Sequence, residues 1–157
     1  MLTQQEAARV LNKALCTGAD FAELFFEDRE ESNIRWEKDS LSGVKAIRIY
    51  GAGLYVLSGT GSIYLYSNDC SLTALLSMAE TAAELIEVRT KRQAAVPEQF
   101  YTPALKNPNP VLLAPASIGA DRKITVLKQT AAAAASAGPA VLSLNADYFD
   151  TDQRIWV

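Results

Sequence analysis

Five of the six prolines in this chain fall between residues 93 and 116, at Pro97, Pro103, Pro108, Pro110 and Pro115. Proline fixes φ and has no amide donor, so at that density neither a helix nor a central strand forms. The cluster predicts an extended linker over 93–116. It divides the chain into a first domain at 1–92 and a second stretch at 117–157. The first stretch is long enough to build a small core of its own. The second reads as the truncated start of another domain. With 49% hydrophobic and 21% charged residues, the balance is that of a globular protein and not of a disordered one.

Within 1–92 the apolar spacing alternates between helical and strand periods. Thr3-x-x-Glu6 is a capping box in front of Ala7, Val10, Leu11, Ala14 and Leu15, which predicts a helix over 4–16 stopped by Gly18. Phe21 to Trp36 reads as a strand interrupted by the charged run Glu27-Asp28-Arg29-Glu30-Glu31, with a turn at Asp39-Ser40 or Ser42-Gly43. Val44–Ile49 is expected as a second strand, punctuated by Gly51-x-Gly53 before a third at Leu54–Leu57. Gly59-Thr60-Gly61 then connects to a fourth, Ile63–Tyr66. Short links imply an antiparallel meander. Residues 71–91 carry a second helical stripe, Leu72, Leu75, Leu76, Ala79, Ala83 and Ile86. The expected fold class is therefore α+β: about four antiparallel strands with two long helices on one face.

Beyond the linker, Ile124, Leu127, Ala131 and Ala134 predict a helix over 121–137, ended by Gly138-Pro139. Val141, Leu142 and Leu144 open a strand, Thr151-Asp152 is the expected turn, and Ile155-Trp156-Val157 the start of a return strand. This helix-hairpin piece stops on apolar residues in mid-strand, from which more protein is expected to follow.

Histidine is absent. That removes the commonest general base, the commonest zinc ligand and the base of a serine triad together. No Gly-x-Ser-x-Gly elbow occurs. Gly51-Ala52-Gly53 precedes a strand where a dinucleotide fingerprint would open a helix, so it reads as a bulge or bend. Glu23, Glu27, Asp28, Glu30 and Glu31 crowd together, but a strand sends alternate residues to opposite faces, which favours a solvated face over a metal or acid–base site. Cys16 and Cys70 are expected as buried, reduced thiols. The chain is thus expected to hold no catalytic, cofactor-binding or metal-ligating residues.

With 15 basic against 18 acidic side chains and a net charge of −3, there is no cationic surplus for direct nucleic-acid binding. No apolar run reaches the roughly 20 residues of a membrane-spanning helix, and the start lacks a signal-peptide pattern. A cytoplasmic protein with no membrane partner is expected. Tyr64 and Tyr66 share a strand face, with Tyr50 and Tyr55 near them. Such aromatics either line a peptide- or base-binding surface or pack under helices and across strands. Tyr64 and Tyr66, with Ile155 and Trp156, are the candidate peptide or interface surface.

Gly18-Ala19-Asp20-Phe21-Ala22-Glu23-Leu24-Phe25-Phe26-Glu27, the Gly51-Ala52-Gly53-Leu54 step and the run from Gly61 to Asn68-Asp69 follow one another in an order that resembles the first domain of the TldD/PmbA family. Asp121-Arg122-Lys123-Ile124 and the stretch from Leu144 to Val157 are similar to the opening of that family's middle domain. One departure is Tyr55, where many members place Arg. The resemblance implies a metal-dependent peptidase whose zinc site is a His-Glu-x-x-x-His helix, completed by a Cys, in a carboxy-terminal domain with no counterpart here. Cys16 and Cys70 do not inherit that role. It also implies a peptide substrate, a dimer with itself or a paralogous subunit, and the family's other description as a modulator of DNA gyrase. The chain is then expected to be a non-catalytic amino-terminal domain serving the peptide cleft and the dimer. The alternative is a regulatory module that binds gyrase or a toxin–antitoxin protein without proteolysis.

Overall fold

A computed structural model describes residues 2–86 and 109–157. The order is α1 (Gln4–Leu15), β1 (Phe21–Glu37), β2 (Ser40–Ser58), β3 (Gly61–Ser67), α2 (Leu72–Leu85), a 3₁₀ turn at Pro115–Ser117, α3 (Ala120–Ala135) and β4 (Asn145–Trp156). The strands form one sheet in the order β3-β2-β1-β4, an α+β fold as the patterning implies. The expected linker at 93–116 and the last turn of the helix expected to reach residue 91 lie largely outside the described residues.

Two compact units divide the chain. The first holds Met1–Glu27, Tyr50–Lys106 and Ile155–Val157; the second holds Asp28–Ile49 and Asn107–Arg154. In the first, α1 begins at the capping box: Thr3 Oγ1 accepts the Glu6 amide at 3.2 Å, and Glu6 Oε2 accepts the Thr3 amide at 2.8 Å. Those bonds hold the Glu6 carboxyl below its usual range. Gly18, at φ +100°, ends the helix in a conformation other residues resist. Val10 and Ala14 of α1 meet Leu75, Met78, Ala79 and Ala82 of α2, and both helices cover the face formed by Leu24, Ala52, Leu54 and Val56. The three buried alanines of α2, Ala79, Ala82 and Ala83, let the helices and sheet approach closely. Cys70 is half-buried beside this core, but Cys16 is exposed, contrary to expectation, because it follows the last turn of α1 and falls off its buried stripe.

Two differences in β1 and β2 have physical causes. The hairpin between β1 and β2 turns at Lys38-Asp39, with φ of 48° and 63°. Two positive φ values match the right-handed twist of the flanking strands, but neither residue is the usual Asn or Gly. The two strands expected at Val44–Ile49 and Leu54–Leu57 are one, β2, which runs through Gly51 and Gly53 without a break. Neither glycine is in the left-handed region. They are required by neighbours instead: an added Cβ at Gly51 would lie 2.6 Å from Cζ of Tyr66, and at Gly53 2.7 Å from Cζ of Tyr64.

In the second unit β4 lies beside β1. Arg35 pairs with Asp147 and Asp28 feels the charge of Arg154, so the two strands run antiparallel. The α3 helix buries Lys123, Leu127 and Ala131, one residue per turn. The expected hairpin at 141–157 does not form. Residues 141–144 are outside any strand, and β4 passes through Thr151-Asp152 unbroken. Ala146, Tyr148, Asp150 and Asp152 are half-buried while the residues between them are exposed, so Asp152 is a rung of a long strand and not a turn residue.

Candidate functional site

The motif residues that open the first domain prove structural. The Asp20 carboxylate accepts the Gly59 amide at 2.7 Å, tying the entry of β1 to the β2–β3 turn. Ala19 beside it is fully buried. Asp69 accepts the Ser71 amide at 2.8 Å, and the Ser71 hydroxyl accepts from Ala74, so the Asn68-Asp69 pair prepares the start of α2. The amide bond from Ser71 holds the Asp69 carboxyl below the ordinary range.

Tyr64 and Tyr66 stand on the face of the first unit's sheet opposite the core. The register pairs Tyr55 with Tyr64 and Gly53 with Tyr66, so each ring of β3 leans diagonally over a glycine of β2. Tyr66 also donates to the Tyr50 carbonyl at 3.2 Å. Both rings remain more than half exposed. Phe21 meets Tyr55 edge-on at 6.5 Å. Cross-strand packing thus fixes these rings while leaving their outer faces in solvent. Ile155 and Trp156 are also partly exposed, but β4 and β3 are opposite edges of the sheet. The four candidate residues therefore form two patches and not one surface.

The acidic run resolves into ion pairs. Arg48 grips Asp28 through two bonds of 2.9 and 3.0 Å, and Glu30 lies 3.8 Å from the same guanidinium. The Arg48 hydrogen bond draws the Asp28 carboxyl below its usual range. Glu31 pairs with Arg29 at 3.3 Å. Asp28, Glu30, Arg48, Asp152 and Arg154 line a cavity of about 110 Å³. Three carboxylates facing two guanidiniums leave little uncompensated charge for a ligand.

Sequence reasoning did not single out Lys123. Its ammonium is buried against the Asp150 carboxylate at 2.7 Å, donates to Ser32 Oγ at 3.0 Å and sits 5.9 Å from the Tyr148 ring centre. Burial pushes the Asp150 carboxyl up, but bonds from Lys123, Tyr148 and Ser32 outweigh it and the group ends below its ordinary value. The bond to Asp150, with burial, raises the Tyr148 hydroxyl. The signal was available: Lys123, Leu127 and Ala131 are four apart, a stripe whose first member happens to be charged.

On the opposite face of the second unit's sheet lies an open groove of about 500 Å³, lined by Val44, Ile47 and Phe149 together with Arg35, Lys45 and Glu31. Among the described residues no three His, Cys, Asp or Glu side chains converge to hold a metal ion, and no described helix is long and apolar enough to cross a membrane.

Residues 22–86 match the family model described as PmbA/TldA metallopeptidase domain 1. No curated protein sequence matches. Among solved structures, a candidate modulator of DNA gyrase from Bacteroides thetaiotaomicron superposes with a TM-score of 0.68 at 18% identity, covering 99% of this chain and 36% of that one. Another candidate gyrase modulator, from Thermotoga maritima, gives 0.64 at 11% identity, with 97% and 34% covered. TldE from Thermococcus kodakarensis gives 0.63 at 11%, with 96% and 34% covered. The chain thus spans about a third of the length of these structures, and their likeness is one of fold. Over residues 22–86, less than half of its length, the chain is thus similar to the first domain of the TldD/PmbA metallopeptidase family, and its fold is that of these structures.

Proposed function

We propose that this chain is a substrate-positioning domain of a metal-dependent peptidase of the TldD/PmbA type, itself without catalytic groups, contributing to the peptide cleft and to a dimer with itself or a paralogous subunit in the cytoplasm. The observation that carries the reading is the family match over residues 22–86 on a chain with no histidine. Zinc does not fit the described residues, among which no three His, Cys, Asp or Glu side chains converge. In a longer protein the metal would be held by other residues and would activate water for amide hydrolysis. What this domain supplies is main chain. A sheet with an unpaired edge binds an extended peptide by adding it as a strand, with little demand on sequence.

The test pairs two measurements on the intact chain. Fluorescence anisotropy with an unfolded, carboxymethylated protein fragment is expected to register binding, and the same fragment incubated with zinc is expected to stay uncleaved. Chelator-sensitive cleavage by a contaminant-free sample would overturn the non-catalytic assignment. Failure to bind any unfolded fragment, together with capture of purified gyrase, would favour the regulatory module instead.

A further inference from the structure

In the second unit every residue of β2 from Ser40 to Arg48 is exposed. The neighbouring strand on that side, β3, pairs with β2 only from Ala52 to Ser58. Among the described residues no strand therefore occupies the outer edge of β2 over residues 40–49. Such an edge presents a row of amide donors and carbonyl acceptors. Residues 40–49 contain two cations, Lys45 and Arg48, with no carboxylate and no proline. Arg48 is engaged by Asp28, whereas Lys45 pairs with no carboxylate among the described residues.

The groove beside this edge supplies what an edge alone lacks. Val44 and Phe149, exposed at 51% and 62%, give it an apolar lining with Ile47. Its other charges are already matched: Arg35 by Asp147 at 2.8 Å and Glu31 by Arg29 at 3.3 Å. Lys45 is left as its uncompensated charge.

We propose that the outer edge of β2 over residues 40–49, with the adjoining groove, is a docking site for an extended acidic peptide. The peptide main chain adds as a strand. One apolar side chain enters among Val44, Ile47 and Phe149, and a carboxylate sits beside Lys45. Main-chain bonds give affinity and the groove gives selectivity. The inference rests on the peptide-positioning reading and assigns that role to one edge.

The test uses the intact chain and fluorescent peptides of about nine residues, the length a strand of this kind accommodates. A peptide with Val and Glu two residues apart, so that both side chains face the groove, is expected to bind, and one with Lys in place of that Glu to bind about tenfold more weakly. Lys45→Glu is expected to reverse that preference, and N-methylation of alternate peptide amides to abolish binding. Circular dichroism melting checks that the variant is folded; if it is not, Lys45→Gln takes its place, with the preference expected to vanish. An unaltered preference in the folded variant overturns the site. Binding that survives Lys45→Glu but is lost in Tyr64→Ala overturns it while leaving the peptide-positioning reading intact. No binding by any peptide overturns both. Sedimentation in which Lys45→Glu dissociates a dimer that binds no peptide assigns the edge to a second copy, and also overturns it.

Discussion

Gly51 and Gly53 differ in what crowds them, and that difference predicts unequal costs. At Gly53 the obstacle is the end of the Tyr64 ring, which can swing into solvent. At Gly51 a Cβ would also meet the Ser67 carbonyl at 2.8 Å, and backbone cannot swing away. Gly51→Ala is therefore expected to destabilise by about 1–3 kcal/mol, as overpacking does, and Gly53→Ala by less. Tyr64→Ala should remove most of the Gly53→Ala cost, whereas Tyr66→Ala should leave most of the Gly51→Ala cost. Urea denaturation of the two double-mutant cycles checks the ordering. The turn residues give a prediction of opposite sign. Lys38 holds positive φ although lysine disfavours it, and Asp39 tolerates it less well than glycine. Replacing them with Asn and Gly is expected to stabilise by about 1 kcal/mol, read as a higher urea midpoint.

At the scale of elements, α3 depends on charge where α1 and α2 depend on apolar contact. Asp150 has a depressed carboxyl pKa in the folded state. Its contribution is accordingly present above the unfolded carboxyl value and lost as pH falls through the folded one. Melting followed by a helix signal is expected to show acid loosening of α3 in the native chain. Asp150→Asn should weaken α3 at neutral pH by about 3–5 kcal/mol, since it leaves the Lys123 ammonium buried beside a neutral partner. Lys123→Met with Asp150→Leu should be near neutral or stabilising, because a buried pair replaced by apolar groups often is. Hydrogen exchange in α3 distinguishes these outcomes. The element scale is also where sequence was most and least legible. Thr3-x-x-Glu6 and the alternation of Ile63 to Tyr66 are local signals, and both elements lie where those signals put them. The continuity of β2 through its glycines and of β4 through Thr151-Asp152 depends on Tyr64, Tyr66 and β1, far away in the chain, and no local window contains them. The candidate surface suffered in the same way: Tyr64 and Trp156 both read as exposed aromatics, but only the strand order separates them to opposite edges.

For the whole molecule, the proposed function divides the labour, with chemistry elsewhere and positioning here. The intact chain is expected to bind zinc no more tightly than a histidine-free control protein of like charge, measured by competition with a chromogenic chelator. Tight stoichiometric uptake would mean that residues outside those described complete a site. The β1–β4 ladder has another consequence, in time. Arg35 and Asp147 stand 112 residues apart in sequence, so closing that ladder requires a loop of more than two thirds of the chain. The β1–β2 hairpin needs only two turn residues. Loop entropy and contact order make the distant pairing slow. As the chain leaves the ribosome, the hairpin can form long before β4 has been synthesised, leaving the Asp28–Glu37 edge of β1 uncovered. Its carboxylates and arginines then serve the nascent chain as a guard against pairing with the wrong strand.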